Sequence, residues 1–209
     1  MLAAHTAFNA AVRMLREGKT NAEVTGVITE IIETYGCNHL EGVLSHKVKK
    51  HLIDGNDCII GRVRPDQRVE EKPFEPGDVW VVDILVSSGE GKPKGTDHRS
   101  TVFKRVLENA YLLKMERARA FFSAVNRNYP TLPFSIADFE DATMAKIGVK
   151  ECLEHDLLTE YPVLEDKSGE FVAQFKGTVA VLSTGVSVLC GMPKPVDGDI
   201  FKSEHKIES

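Results

Sequence analysis

Asp83 is the residue of this chain that most requires a chemical explanation. It stands inside Val79-Trp80-Val81-Val82-Asp83-Ile84-Leu85-Val86, an almost continuous apolar run. A carboxylate carried into such surroundings needs a cationic or hydrogen-bonding partner, and structural pairing explains it as well as function does. The densest group of cations lies upstream, where Lys47, Lys49 and Lys50 precede His51. Lysines on a strand edge discourage edge-to-edge pairing, and lysines so spaced also suit contact with phosphates; both readings stand. Ser88-Gly89-Glu90-Gly91-Lys92 has the glycines of a phosphate loop but lacks the Gly-Lys-Ser/Thr ending and a following helix, so it reads as a turn. His51, His98 and His155 have no evident partners, and His46 alone reads as a hydrogen-bonded histidine. Cys37, Cys58, Cys152 and Cys190 form no Cys-x-x-Cys pair and read as thiols of a reducing compartment, not as a disulfide frame or zinc site.

The elements that must position these groups follow from periodicity. Leu2, Ala4, Phe8, Ala11, Val12 and Leu15 recur at helical spacing, with Gly18 as a stop. Thr20-Asn21-Ala22-Glu23 fits a capping box that opens a second helix, whose buried face holds Val24, Val27, Ile28, Ile31 and Ile32. A chain that starts directly on an amphipathic helix reads as part of something longer. Pro76-Gly77-Asp78 announces the strand around Asp83, and its unbroken apolar character predicts burial on both faces. Ser100 to Lys104 reads as a return strand. Ala110 to Leu158 reads as helical, divided by Pro130 and Pro133, with Leu112, Met115, Ala118, Phe122 and Val125 on one stripe and Ala145, Val149 and Cys152 on another. Phe121 and Phe122 are adjacent, so at most one faces fully inward. Phe171 to Leu189 reads as a hairpin turning at Ser183-Thr184-Gly185. The order of elements predicts an α+β fold.

With 209 residues the chain can bury a substantial core, and its 42% hydrophobic and 27% charged content suits a globular protein. A formal net charge of -5 argues against whole-molecule attraction to nucleic acid, so any such contact needs a local basic patch. No apolar run is long enough to span a bilayer, and no signal-peptide pattern opens the sequence, so cytoplasmic or nuclear residence is the expectation.

Several pieces occur in a recognisable order: Leu40 to His46, Ser45-His46-x-x-Lys49-x-His51-x-Ile53-Asp54-Gly55, Val82 to Gly91, Arg119-Ala120-Phe121-Phe122-Ser123, Gly169 to Thr178, and Phe201-Lys202-Ser203-Glu204. Together they resemble the ErbB-binding, proliferation-associated branch of the methionine-aminopeptidase-like family, across nearly the whole chain. The resemblance implies the second half of a pita-bread fold with a helical, winged-helix-like insert. It divides the chain into a pita-bread half with leading helices (1–109), the insert (110–160) and return strands (161–209). Nothing here corresponds to the first half of that fold, and the chain stops at Ile207-Glu208-Ser209 without the lysine-rich tail of the family. It therefore reads as a fragment, with an inner surface left uncovered.

The same resemblance sets expectations for the site. In active relatives the second half supplies a histidine, a glutamate and a metal-bridging glutamate; His46, Asp83 and Lys176 stand at those positions, with Ser45 in place of a glycine. An ammonium offers a divalent ion no donor atom. The implied protein has no catalytic residues, metal or cofactor, and Lys176 is expected to form an ion pair with Asp83. The resemblance further implies association with the large ribosomal subunit or ribosomal RNA, a role in growth or translation control, and cytoplasmic, nuclear and nucleolar residence. Signalling or transcription-related proteins are further implied partners, and a membrane is not. Lys47, Lys49, Lys50, Lys114, Arg117 and Arg119 are the candidate RNA-binding residues. Two alternatives remain: a metallo-aminopeptidase that removes N-terminal methionine through a site completed by another chain, and a protein-interaction adaptor without RNA contact.

Overall fold

The computed structural model describes residues 1–62 and 69–191; Phe201 to Glu204, quoted above, lie outside the described residues. Two compact units account for them, one formed by residues 1–94 with the chain from 166 onward, the other by residues 95–165.

The first unit opens on α1 (Leu2–Met14) and α2 (Asn21–Thr34). The expected capping box is present: the Glu23 N–H donates to the Thr20 hydroxyl, and the Thr20 N–H donates to the Glu23 carboxylate at 2.8 Å. Four short to medium strands follow, β1 (Asn38–His39), β2 (Leu44–Val48), β3 (Cys58–Ile60) and β4 (Val79–Ser87). The second unit runs through β5 (Lys94–Gly95), β6 (Val102–Arg105), α3 (Glu116–Asn128), β7 (Phe134–Ser135), a single 3-10 turn, α4 (Ala142–Glu154), β8 (Leu158–Glu160) and β9 (Leu164–Glu165). The chain then returns to the first unit as β10 (Val172–Leu182) and β11 (Gly185–Cys190), the hairpin expected from sequence.

In the first unit the strands form one antiparallel sheet ordered β11-β10-β4-β2-β3, with β1 also paired to β4. Alternation along β4 sends Trp80, Val82, Ile84 and Val86 toward the helices, where they meet Val179 and Val181 of β10. The alanines of α1, Ala3, Ala4, Ala7 and Ala11, let that helix lie close to the sheet, and Phe8, Leu15, Ile28 and Ile32 fill the layer between. Each such fully buried large side chain contributes about 1.5–3 kcal/mol. The expectation of burial on both faces of β4 is corrected here. No helix of the described first unit lies on the opposite face, and Val79, Val81 and Leu85 stay half-buried there. The apolar run reflects a strand with one deep face and one shallow face.

The second unit has its own core, built from Phe103, Leu113, Phe121, Val125, Phe134, Val149, Cys152 and Leu157 among others. Two expectations change here. The strand at Ser100 to Lys104 exists as β6, but it pairs with β7 and β8 and not with β4. The inward stripe of α3 runs through Ala118, Phe121 and Val125; Phe122 is half-buried, Leu112 and Met115 are exposed, and Leu113 takes the buried place before the helix. The helical spacing was sound, but the inward aromatic is Phe121 and not Phe122, and Leu112 and Met115 precede the helix, which starts at Glu116. The strands β7 and β8, two and three residues long, carry too little pattern to be read among helices.

Helices α3 and α4 cross at Gly148, where an added Cβ would fall 2.3 Å from the Phe121 ring. Phe121 is fully buried and has no free space to retreat into. Gly148→Ala is expected to cost about 1–3 kcal/mol by overpacking, despite the better helix propensity of alanine. Hydrogen exchange should show faster amide exchange in α3 and α4 while the β4–β10 ladder keeps its protection; unchanged exchange in both helices would refute the tight crossing.

Candidate functional site

The register of β10 on β4 sets Lys176 directly opposite Asp83. Opposed residues of an antiparallel pair share a face, so both stand on the side away from the helices, with Gln174 two residues along. His46 joins them because it is paired with Val81, which lies on that same face of β4. The three positions singled out from the resemblance are thus on one face of three adjacent strands.

Their contacts define the chemistry. Lys176 Nζ lies 2.9 Å from Asp83 Oδ2, and Gln174 Nε2 donates to Asp83 Oδ1 at 2.7 Å. Both carboxylate oxygens are therefore engaged. The Asp83 side chain is 10% exposed and that of Lys176 58%, so the carboxylate is sunk while the ammonium reaches out to water. Beneath them the Asp83 N–H donates to Ser45 Oγ at 2.9 Å, which gives the serine before His46 a structural task between β2 and β4. His46 Nδ1 donates to the Gly55 carbonyl at 2.9 Å, since a carbonyl can only accept. Gly55 is confined to glycine by close approach: a Cβ would lie 2.4 Å from the Lys47 carbonyl oxygen.

This donor set does not fit a divalent cation. His46 is held in the tautomer that leaves Nε2 as a lone-pair donor, as metal-binding histidines are. Asp83, however, is committed to an ammonium and an amide, and Lys176 adds positive charge. No three His, Cys, Asp or Glu side chains among the described residues come together in a way that could hold a metal ion.

Sequence reasoning found Asp83 and Lys176 but assigned no part to Gln174, although its position two residues before Lys176 already puts both on one strand face. It missed His39 altogether. That residue is buried on β1, its Nδ1 donating to the Leu40 carbonyl at 2.8 Å. A Cβ on Gly61 would fall 2.0 Å from its ring, so the imidazole fills the space that this glycine leaves. Burial holds the His39 pKa below the ordinary value, against weaker opposing pulls from the Leu40 hydrogen bond and the Asp83 charge.

The candidate RNA-binding residues fall into two kinds. Lys47 Nζ lies 2.6 Å from Asp78 and 4.0 Å from Asp57, and Lys72 meets the same Asp57 at 2.6 Å. The hydrogen bond from Lys72 holds the Asp57 carboxyl below the usual range, helped by the Lys47 charge. Arg119 turns its guanidinium back onto the carbonyls of Leu113 at 3.1 Å and Lys114 at 2.6 Å. Lys49 and Lys50 in the first unit, and Lys114 and Arg117 in the second, are exposed.

No protein-family model matches the chain. Proliferation-associated protein A of Dictyostelium discoideum is 41% identical over 194 residues, which make up 93% of this chain and 50% of that protein. ErbB-3 binding protein 1 of Solanum tuberosum is 41% identical over 184 residues, 88% of this chain and 47% of that protein. A curved DNA-binding protein of Schizosaccharomyces pombe is 36% identical over 99% of this chain and 54% of its own length. The chain is a homologue of the proliferation-associated, ErbB-3-binding proteins of the methionine-aminopeptidase-like family. It spans about half the length of the curated relatives it matches.

Solved structures agree on the fold. A thermophilic Arx1 matches all of this homologue with a TM-score of 0.83 and 28% identity, over 60% of the Arx1 chain. Methionine aminopeptidases from Rickettsia prowazekii and Thermotoga maritima match at TM-scores of 0.51 and 0.52 with 10% and 13% identity, a likeness of fold alone. The chain therefore has the α+β pita-bread fold expected from its sequence.

Two outcomes follow from this geometry. Lys176→Ala leaves the Asp83 carboxylate with Gln174 and water, and should cost about 1–2 kcal/mol, less than a wholly buried pair because the ammonium is largely exposed. Replacing both by leucine should recover most of that loss in urea unfolding; a double variant as unstable as the sum of the singles would mean that the two are not coupled. His39 gives the second. Its folded pKa lies below the unfolded value near 6.5, so on acidification the unfolded chain takes up the proton first. Stability should be level above about pH 7 and fall as pH drops below about 6.5, and His39→Gln should flatten that fall. His5, whose pKa burial also lowers, supplies a remainder. A wild-type melting temperature constant across this window would exclude the buried neutral imidazole.

Proposed function

We propose that this proliferation-associated homologue is a non-catalytic, aminopeptidase-like protein that docks on the large ribosomal subunit through ribosomal RNA phosphates and acts in growth or translation control. The observation that carries the reading is the Asp83–Lys176 pair at 2.9 Å. By resemblance, active relatives hold metal with carboxylates at these two positions; an ion pair there leaves a sheet face without metal chemistry, free for docking. In this reading the chain corresponds to the second half of the pita-bread fold, and residues 110–160 form a winged-helix-like insert. Cytoplasmic, nuclear and nucleolar residence belongs to the same reading. Support for nucleic-acid contact comes from the exposed Lys49, Lys50, Lys114 and Arg117, and from a relative whose name is that of a curved DNA-binding protein. Residual aminopeptidase activity is opposed by the charge of Lys176.

A protein-interaction adaptor is the second reading. The net charge of -5 favours it, as does the commitment of Lys47 and Arg119 to the protein's own oxygens. The two readings separate in co-sedimentation with purified large ribosomal subunits across about 50–200 mM salt. Pelleting should saturate and weaken with salt. Lys49→Ala with Lys50→Ala, and separately Lys114→Ala with Arg117→Ala, should each lower the log–log salt slope by about 1.5. Lys47→Ala should instead reduce stability and leave the slope alone. A folded chain that does not pellet, yet keeps protein partners after ribonuclease treatment, would overturn docking in favour of the adaptor.

A further inference from the structure

The second unit contains a cleft of about 410 Å³ to which neither reading assigns a role. Such a volume falls within the roughly 300–1,000 Å³ of small-ligand sites. One wall is a single face of α4, where Lys146, Lys150 and Leu153 recur at helical spacing beside Ile147. The other is the start of β6 with the residues before it, Arg99, Ser100 and Phe103, and Glu160 at the end of β8 closes one side.

The cleft is layered by polarity. Phe103 and Val149 form a buried base, and Ile147 and Leu153, half-buried, leave apolar surface open above it. Around this floor stand three exposed cations, Arg99, Lys146 and Lys150, against the one carboxylate of Glu160. Arg99 and Lys146 form no ion pair among the described residues. Lys150 reaches Glu154 only at 3.9 Å on an exposed helix face, a contact that contributes little. The other acid of this helix turn, Glu151, lies 3.9 Å from His155 and does not line the cleft. In a chain of net charge -5 the cleft is therefore a local surplus of positive charge above an apolar floor.

We propose that this cleft binds an acidic peptide segment, seating one apolar side chain on Ile147 and Leu153 while flanking carboxylates meet Arg99, Lys146 and Lys150. Ser100, whose hydroxyl bonds to no other described residue, and Glu160 are placed to meet polar groups of the peptide backbone. Nucleic acid suits the cleft less well. Single strands bind on exposed aromatic platforms, and the one aromatic residue here, Phe103, is 2% exposed. A phosphate backbone gains nothing from an aliphatic floor. A peptide with both an apolar anchor and negative charge uses every group that lines the cleft.

The test is fluorescence anisotropy of the full chain with a labelled decapeptide, a central Leu-Phe pair flanked by Asp and Glu. Saturable binding with a dissociation constant on the order of 100 μM is expected. Lys146→Glu with Lys150→Glu, both exposed on α4 and harmless to the core, should weaken it at least tenfold. Lys167→Glu, an exposed lysine of the first unit, should leave it unchanged. The peptide with Leu-Phe replaced by Ser-Ser should bind at least tenfold more weakly, and one with Lys for every acid not at all. Failure of the decapeptide to bind, equal binding by the Ser-Ser peptide, or an insensitive double variant would overturn the proposal. So would a single-stranded oligoribonucleotide that binds through Lys146 and Lys150 in the peptide's place. Loss of peptide binding leaves ribosome co-sedimentation by Lys49 and Lys50 untouched, so the two ideas fail separately.

Discussion

The register between β4 and β10 is the constraint on which the first unit depends. A shift of one residue would turn Val179 and Val181 away from the helices and carry Lys176 to the wrong side of the sheet. The same nine-residue alignment therefore fixes the core and delivers the ammonium to Asp83. The pair adds a penalty to any slip, because a sunken carboxylate without its counter-charge costs more than an exposed ion pair contributes. Hydrophobic burial supplies the energy of this ladder, and the ion pair sharpens its uniqueness.

How much was legible in the sequence follows from which interactions are local. The capping box of α2, the hairpin of β10 and β11, and the position of the strand around Asp83 are short-range patterns and appear as read, although that strand is deeply buried on one face only. The Asp83–Lys176 contact spans distant parts of the chain, and only the family pattern joined the two residues beforehand. Period-2 alternation would put Gln174 on that face, two residues before Lys176, but its hydrogen bond to Asp83 could not be anticipated from spacing. The partner strands of β6 were illegible because a strand of four residues carries no address, and its two neighbours are shorter still. The error in the α3 stripe has two sources: periodicity was extended into residues that are not helical, and spacing alone did not separate the adjacent Phe121 and Phe122.

Charge is where sequence reading and structure diverge most. Counting lysines and arginines in a stretch treats each as available, whereas the fold spends some of them internally. Lys47 holds Asp78 at the start of β4 and shares Asp57 with Lys72, and Arg119 closes the carbonyls that precede its own helix. Position along the strand explains the first case: Lys47 lies within β2 and reaches Asp78 directly, whereas Lys49 stands just past its last residue, exposed, and acts on Asp57 only through its charge. Position relative to a strand end, more than local density, decides which cations remain for a partner.

The sheet face of the first unit brings together side chains that do not suit a divalent cation. The His46 ring is oriented by the Gly55 carbonyl, and Asp83 points from β4 onto the same face as Lys176. The carboxylate and the ammonium cancel, so the pair leaves no net charge to attract a divalent ion. Gln174 deepens this by taking the carboxylate oxygen that Lys176 does not. Removing the lysine alone would therefore not create a metal site, since a lone carboxylate and one imidazole are too few donors for a stable catalytic metal. The ion pair, the amide hydrogen bond and the short supply of donors thus act together against a divalent ion on this face.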